Sequence, residues 1–234
     1  MPELDPGDAE RLLGYAVAAI RSGLEQRPIP GVRVPESPAL NELASTFVTL
    51  ERGVQLLGCI GTLRAVRPLY EDVMANAYKS AFADPRLAPI SPDDFTAMDV
   101  KVSVLSPMRS VAAASKETLV AELVPGLDGV LLTVDDVRAT FLPAVWQRVP
   151  TPDEFVDQLL RKGGLTNGWT AGLQAFRYTT FDYAQHGPRD PIVALQQRPL
   201  ILISSCSPLY DPRVARGLAP ISVDGVAEGG NDGG

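Results

Sequence analysis

Thr46-Phe47-Val48-Thr49-Leu50, followed by Glu51-Arg52-Gly53 and then Gln55-Leu56-Leu57-Gly58-Cys59-Ile60-Gly61-Thr62-Leu63, is the stretch on which the rest of the fold is built. The first run is rich in β-branched and aromatic residues and predicts a strand. The Gly-containing turn returns the chain as a second strand, so the two form a hairpin. Glycine weakens a strand interior. Gly58 and Gly61 therefore predict a bulge, or a close approach by another backbone or a ligand. Cys59 stands between them.

Outward from this hairpin, helices and strands follow in irregular order. On the N-terminal side, Leu12, Leu13, Tyr15, Ala16, Ala19, Ile20 and Leu24 recur at helical spacing. They predict a helix from Asp8 to Glu25, with Asp8 as N-cap and Pro28 and Pro30 beyond its end. On the C-terminal side, Pro68 opens a helix with Leu69, Val73, Met74, Ala77 and Ala81 on one face. Asp84-Pro85-Arg86 is a turn, and Ser91-Pro92-Asp93-Asp94 resembles a capping box. Val100 to Val104 alternates as a strand. A short helix is predicted from Lys116 to Leu123, and a second hairpin from Gly129 to Val134 and Arg138 to Leu142. Thr151-Pro152-Asp153-Glu154 starts a helix that runs to Lys162, where Gly163-Gly164 stops it. Phe176 to Tyr183 alternates as one last strand. The order is not regular enough for a doubly wound fold.

Composition excludes several functions. The chain has 234 residues, 45% of them apolar, which is enough for a sizeable core. Its 21 basic and 28 acidic residues give a formal net charge of −7, which argues against nonspecific binding to nucleic acid or to an anionic membrane. No apolar run approaches the ~18 residues of a membrane span. Two cysteines cannot build a disulfide framework, and the acidic N-terminus lacks the charged region of a signal peptide. A cytoplasmic location is therefore expected. With His186 as the single histidine, no Cys/His zinc cluster and no Ser-His-Asp or Cys-His set can be assembled in the globular part. No metal, cofactor or self-sufficient iron–sulfur set is predicted.

Individual motifs leave alternatives open. Gly53 to Gly58 has the glycine spacing of a P-loop but is followed by Cys59-Ile60 instead of Lys-Ser/Thr, and it lies in a hairpin. Gly58-Cys59-Ile60-Gly61 matches the GxxG of KH loops but lacks basic neighbours. Cys59 is either an approachable nucleophile or soft ligand, or a small buried hydrophobe in a strand. Asp84 and Arg86 are either a ligand-facing clamp or a solvated turn pair. Lys162 suits a helix C-terminus, and Trp146, Trp169 and Phe176 suit a core. From Ala184 to Gly234 the chain is rich in Gly and Pro and is expected to be a disordered tail. Cys206 there reads as incidental, and the apolar Leu200 to Ile203 suits a sheet edge.

Several blocks, taken together and in order, resemble the AMMECR-one domain family. They are Thr46 to Leu50, Leu56 to Leu63, Asp84-Pro85-Arg86, Val102-Ser103-Val104-Leu105-Ser106-Pro107, Leu142-Pro143 and Lys162-Gly163-Gly164-Leu165. The similarity covers Asp8 to Tyr183, which sets a domain at 8–183 and a tail at 184–234. The resemblance implies an α+β fold, a mixed or antiparallel sheet flanked by helices, with a larger and a smaller subdomain and a cleft between them. Bacterial and archaeal members are called AmmeMemoRadiSam system protein A, and are encoded beside, or fused to, a Memo-type protein and a radical-SAM enzyme. The family's biochemical activity is not established. Carried over residue by residue, the implied site is Cys59 as the candidate catalytic group, with Gly58, Gly61, Thr62, Asp84 and Arg86 binding ligand or partner. Where the family usually has Arg before Gly-Cys, this chain has Leu57, so either some ligand binding is lost or Arg64 or Arg86 supplies the charge there. Leu87 and Gly163 are smaller departures. Three functions follow. One is an accessory component of a Memo/radical-SAM system. Another is an enzyme using Cys59, with Asp84 or a tyrosine as proton carrier. The third is an interaction module without chemistry.

Overall fold

The computed structural model describes residues 3–31, 33–165 and 168–192. Its elements, in chain order, are α1 (Pro6–Leu24), α2 (Pro38–Asn41), β1 (Leu43–Arg52), β2 (Gln55–Gly61), β3 (Arg67–Pro68), α3 (Leu69–Phe82), α4 (Pro92–Ala97), β4 (Asp99–Leu105), β5 (Arg109–Val111), α5 (Lys116–Glu122), β6 (Gly129–Val134), β7 (Val137–Phe141), a 3-10 turn at Pro143–Gln147, α6 (Pro152–Lys162), β8 (Gln174–Tyr178) and β9 (Thr180–Gln185). The fold is α+β. Every strand pairing among the described residues is antiparallel, so the mixed-sheet alternative is corrected to a purely antiparallel one.

The strands form two sheets. The larger runs β2-β1-β4-β9, with β3 added to β1, and the smaller runs β5-β8-β6-β7. Alternation along β1 and β4 turns Val48, Leu50, Val100 and Val102 toward one face, where α1 and α3 cover them with Leu12, Ile20, Val73 and Ala77. The smaller sheet buries Val130 and Leu132 against Leu119 of α5, Phe155 and Leu159 of α6, and Trp146. A third cluster joins the two units. It contains Leu105, Leu131 and Tyr178, with Phe47, Leu63 and Phe176 packed against it.

Besides its apolar face, α3 buries a polar stripe. Asp72, Asn76 and Ser80 recur at every fourth position and so share one face of the helix. Asp72 Oδ2 accepts the Thr46 N–H at 2.9 Å, the Thr46 hydroxyl at 2.8 Å, the Thr62 hydroxyl at 2.7 Å and the Asn76 amide at 2.9 Å. Its Oδ1 accepts the Arg67 guanidinium at 2.7 Å. The Ser80 hydroxyl accepts the Ile60 N–H at 2.9 Å and donates to the Val48 carbonyl at 2.7 Å, so it bridges β2 and β1. The helix is thereby fixed to the hairpin by directional bonds as well as by apolar contact.

Three local predictions are corrected. The cap of α1 is Asp5, whose carboxylate accepts the Asp8 N–H at 3.0 Å, and Pro6 takes the first helical position. Asp8 is instead buried, accepting from Arg11 and the Ser37 hydroxyl. Thr151 precedes α6 as predicted but makes no side-chain cap bond. The single strand predicted from Phe176 to Tyr183 is two strands in different sheets, β8 and β9, because the chain crosses between the units at Thr179. There the Thr179 carbonyl accepts the Ser106 N–H, and the Thr179 N–H donates to the Ser106 hydroxyl, both at 2.9 Å.

The Gly/Pro-rich region expected from Ala184 begins inside β9, and the chain packs on to Ile192, which sits against the larger core. Residues 193–234, with Cys206 and Leu200 to Ile203, lie outside the described residues.

Replacing Asp72 by Ala strands Thr46, Thr62 and Asn76 donors in the interior and leaves Arg67 without its carboxylate. A loss of about 3–5 kcal/mol is expected in urea unfolding of Asp72→Ala. A loss below about 1 kcal/mol would show that the network contributes little.

Candidate functional site

Cys59 lies on β2 directly opposite Thr49 of β1. It is half-buried, so the interior-hydrophobe alternative does not describe it. The Thr49 hydroxyl donates to its Sγ at 3.4 Å. Both residues lie on the sheet face opposite the helices, on the same side as Phe47.

The turn after α3 grips the backbone of Cys59. Asp84 extends the four-residue spacing of the α3 stripe beyond the end of the helix. Its Oδ2 accepts the Cys59 N–H at 3.0 Å, while Arg86 Nη2 donates to the Cys59 carbonyl at 2.9 Å. Arg86 binds the same carboxylate through two nitrogens, Nε to Oδ1 at 2.9 Å and Nη2 to Oδ2 at 2.7 Å. Asp84 and Arg86 are thus a clamp on Cys59, not a solvated turn pair. The guanidinium, helped by the Cys59 and Arg86 N–H groups, holds the Asp84 carboxyl down at about 2. It stays ionised and fully engaged at neutral pH, which argues against Asp84 as a proton carrier. Arg86 is in turn held charged, first by Asp84 and then by the Cys59 sulfur beside it.

A second cation comes from the smaller unit. Lys162, in the last turn of α6, does not simply end a helix. Its Nζ donates to the Thr140 carbonyl at 2.9 Å and stands 5.0 Å from the centre of the Phe141 ring. Desolvation lowers its pKa, Arg86 repels it and lowers it further, and the Cys59 sulfur opposes the change. Arg86 and Lys162, one from each unit, thus both feel the Cys59 side chain.

The other sequence candidates have packing or network contacts. A Cβ on Gly58 would stand 1.9 Å from the Ser80 carbonyl oxygen, and one on Gly61 would stand 2.3 Å from the Phe47 ring. Both expectations for Gly58 are met, since the register also shifts between Leu50 and Glu51, making Leu57 the bulged residue. Leu57 is buried in the larger core. The positive charge beside Cys59 comes from Arg86, not Arg64. Thr62 belongs to the Asp72 network. His186 pairs with Asp99 at 3.1 Å. A cavity of about 350 Å³ opens elsewhere along the junction, lined by Leu43, Ser45, Leu63, Leu105 and Met108, and none of the candidate residues line it. Among the described residues no helix is long and apolar enough to cross a membrane.

Two antiparallel sheets, each with its own helical cover, joined through the cluster of Leu105, Leu131 and Tyr178, define a two-unit α+β protein. The model of the AMMECR1 family matches residues 13–183, and the chain belongs to that family. A protein of Thermofilum pendens is 28% identical over 210 residues, which are 82% of this chain and 97% of the relative. One from Aeropyrum pernix is 31% identical over 204 residues, 82% and 84% of the two chains. The crystal structure of the uncharacterised protein PH0010 from Pyrococcus horikoshii superposes with a TM-score of 0.72 at 26% identity, covering 82% of this chain and 97% of that one.

Two outcomes are expected. Gly58→Ala drives a methyl into backbone that cannot rotate away, and should lower unfolding free energy by about 3 kcal/mol. An unchanged urea midpoint would mean that strand and helix separate freely. Because the folded Asp84 pKa lies below its unfolded value, its contribution is full above about pH 4 and is lost as pH falls toward 2. Urea midpoints at pH 5 and pH 2.5 should therefore drop more for the wild type than for Asp84→Asn. Equal drops would remove the clamp from the acid response.

Proposed function

We propose that this protein is the binding component of a Memo-type and radical-SAM modification system, and that it receives its partner or ligand in the cleft at Cys59. The observation that carries this is a half-buried thiol whose backbone is clamped by Asp84 and Arg86, with the charge of Lys162 from the smaller unit coupled to both Arg86 and the thiol. Membership of the AMMECR1 family supports the link to such a system through the resemblance stated above. Asp84 is locked as a carboxylate and His186 is paired with Asp99, which favours binding over acid–base chemistry as the primary role. A second reading, Cys59 as a nucleophile, draws on the same two cations and needs a proton carrier other than Asp84.

The test is calorimetric titration of a purified Memo-type protein from the same genome. Lys162→Glu should weaken binding at least about tenfold, while Arg11→Glu, on α1, should leave it unchanged. No binding by the wild type, or equal binding by all three, would sink the proposal. Cys59→Ser separates the two readings: retained binding with lost modification selects the nucleophile.

A further inference from the structure

β1 begins at Leu43, but its pairing with β4 reaches only to Ser45 opposite Leu105. The residue that would face Leu43 is Pro107, which has no N–H to donate. The chain has already turned away there, since the Ser106 N–H is given to the Thr179 carbonyl. On the other side of β1, Ala44 pairs with Arg67, and the Glu42 carbonyl accepts the Leu69 N–H. Successive residues of a paired strand direct their N–H and C=O to opposite sides. The Leu43 groups therefore point away from β3, into the gap where β4 departs. No described residue bonds to either of them.

That gap is the cavity of about 350 Å³. Leu43, Leu63, Leu105 and Met108 give it aliphatic and thioether walls. Ser45 also lines it. This residue is only 6% exposed, and its hydroxyl makes no hydrogen bond among the described residues. A buried hydroxyl without a partner is a cost that a bound group can relieve. Glu42 lines the cavity as well, is exposed, and has neither an ion pair nor a side-chain hydrogen bond among the described residues. No lysine or arginine stands in the lining.

We propose that this gap docks an extended segment of a partner protein through a basic residue. That residue takes the place position 107 would hold had β4 continued. Its backbone pairs with the Leu43 N–H and C=O, as in strand addition. Its aliphatic stem lies along the leucines, and its cationic head meets Glu42 and the Ser45 hydroxyl. The formal net charge of −7 favours the approach of such a segment. The docking does not depend on the role given to Cys59.

The test is NMR on the isotope-labelled full-length chain, with the capped peptide acetyl-Thr-Val-Lys-Val-Thr-amide as probe. In the free protein the Leu43 N–H should exchange with solvent at least about a hundredfold faster than the Ser45 N–H, which faces Leu105 in the ladder. The peptide should shift both amide signals saturably, with a Kd on the order of 1 mM. Norleucine in place of its lysine keeps the stem and removes the charge. Methylation of the lysine backbone nitrogen removes the donor to the Leu43 carbonyl. Each change should weaken binding at least about fivefold. Glu42→Lys should reverse the preference, binding the peptide with glutamate at the central position better than the lysine form, with an unchanged thermal midpoint because the side chain is exposed. Slow exchange of the Leu43 N–H in the free chain would mean that the gap is already closed, and would overturn the proposal. So would an unshifted Leu43 signal up to about 10 mM peptide, or equal affinity for the lysine, norleucine and methylated forms.

Discussion

The Asp72 carboxylate has no contact with water, yet it accepts hydrogen bonds from β1, from the segment after β2, from its own helix and from Arg67. A buried charge is tolerated only when such partners surround it, so the position of α3 against the hairpin is fixed to within hydrogen-bond tolerance. Apolar packing alone would hold the helix on the sheet but would permit it to slide. The stripe from Asp72 through Asn76 and Ser80 does not permit that, because Asp72 and Asn76 both bind Thr46 and Thr62 while Ser80 binds Ile60 and Val48 further along the hairpin.

The candidate site is the end of the same stripe. Once α3 is fixed, the turn that follows it must emerge beside Cys59, and Asp84 continues the spacing to reach the Cys59 N–H. Gly58 allows the close approach, since any side chain there would meet the Ser80 carbonyl. The bulge at Leu57 bends β2 at the point where the helix presses on it. Glycine, bulge and carboxylate are thus consequences of one constraint, a helix docked on a strand at backbone distance, and the clamped thiol is what that docking leaves facing outward.

What was legible in the sequence follows from the range of the forces involved. The hairpin and the α6 end at Gly163 are set by neighbours along the chain, and local pattern was enough to predict them, whereas Gly58 marked a close approach without showing that the Ser80 backbone makes it. The polar stripe of α3 was also present as a four-residue period, but it is hidden when helical spacing is read only from apolar residues such as Val73 and Ala77. The split of Phe176 to Tyr183 shows only as a slip of phase, since the aromatic residues at 176 and 178 and those at 181 and 183 fall out of step across Thr179-Thr180, where the chain changes sheets. Lys162 was missed for a different reason. A cation in the last helical turn already satisfies a local rule, and only the packing of α6 on β7 within the smaller unit shows that its ammonium is turned toward Phe141 and Thr140.

The two cations at Cys59 are not held in the same way. Arg86 is bonded to Asp84 and to the Cys59 carbonyl, so its place relative to the thiol is set inside the larger unit. Lys162 is anchored to β7, and its place relative to the thiol depends on how the smaller unit sits. That placement rests on the cluster of Leu105, Leu131 and Tyr178, and on the Ser106 and Thr179 crossings, which are bonded to each other. A shift at the junction would therefore move one charge and leave the other in place. The field at Cys59 has a constant part from the clamp and a part that depends on how the smaller unit sits.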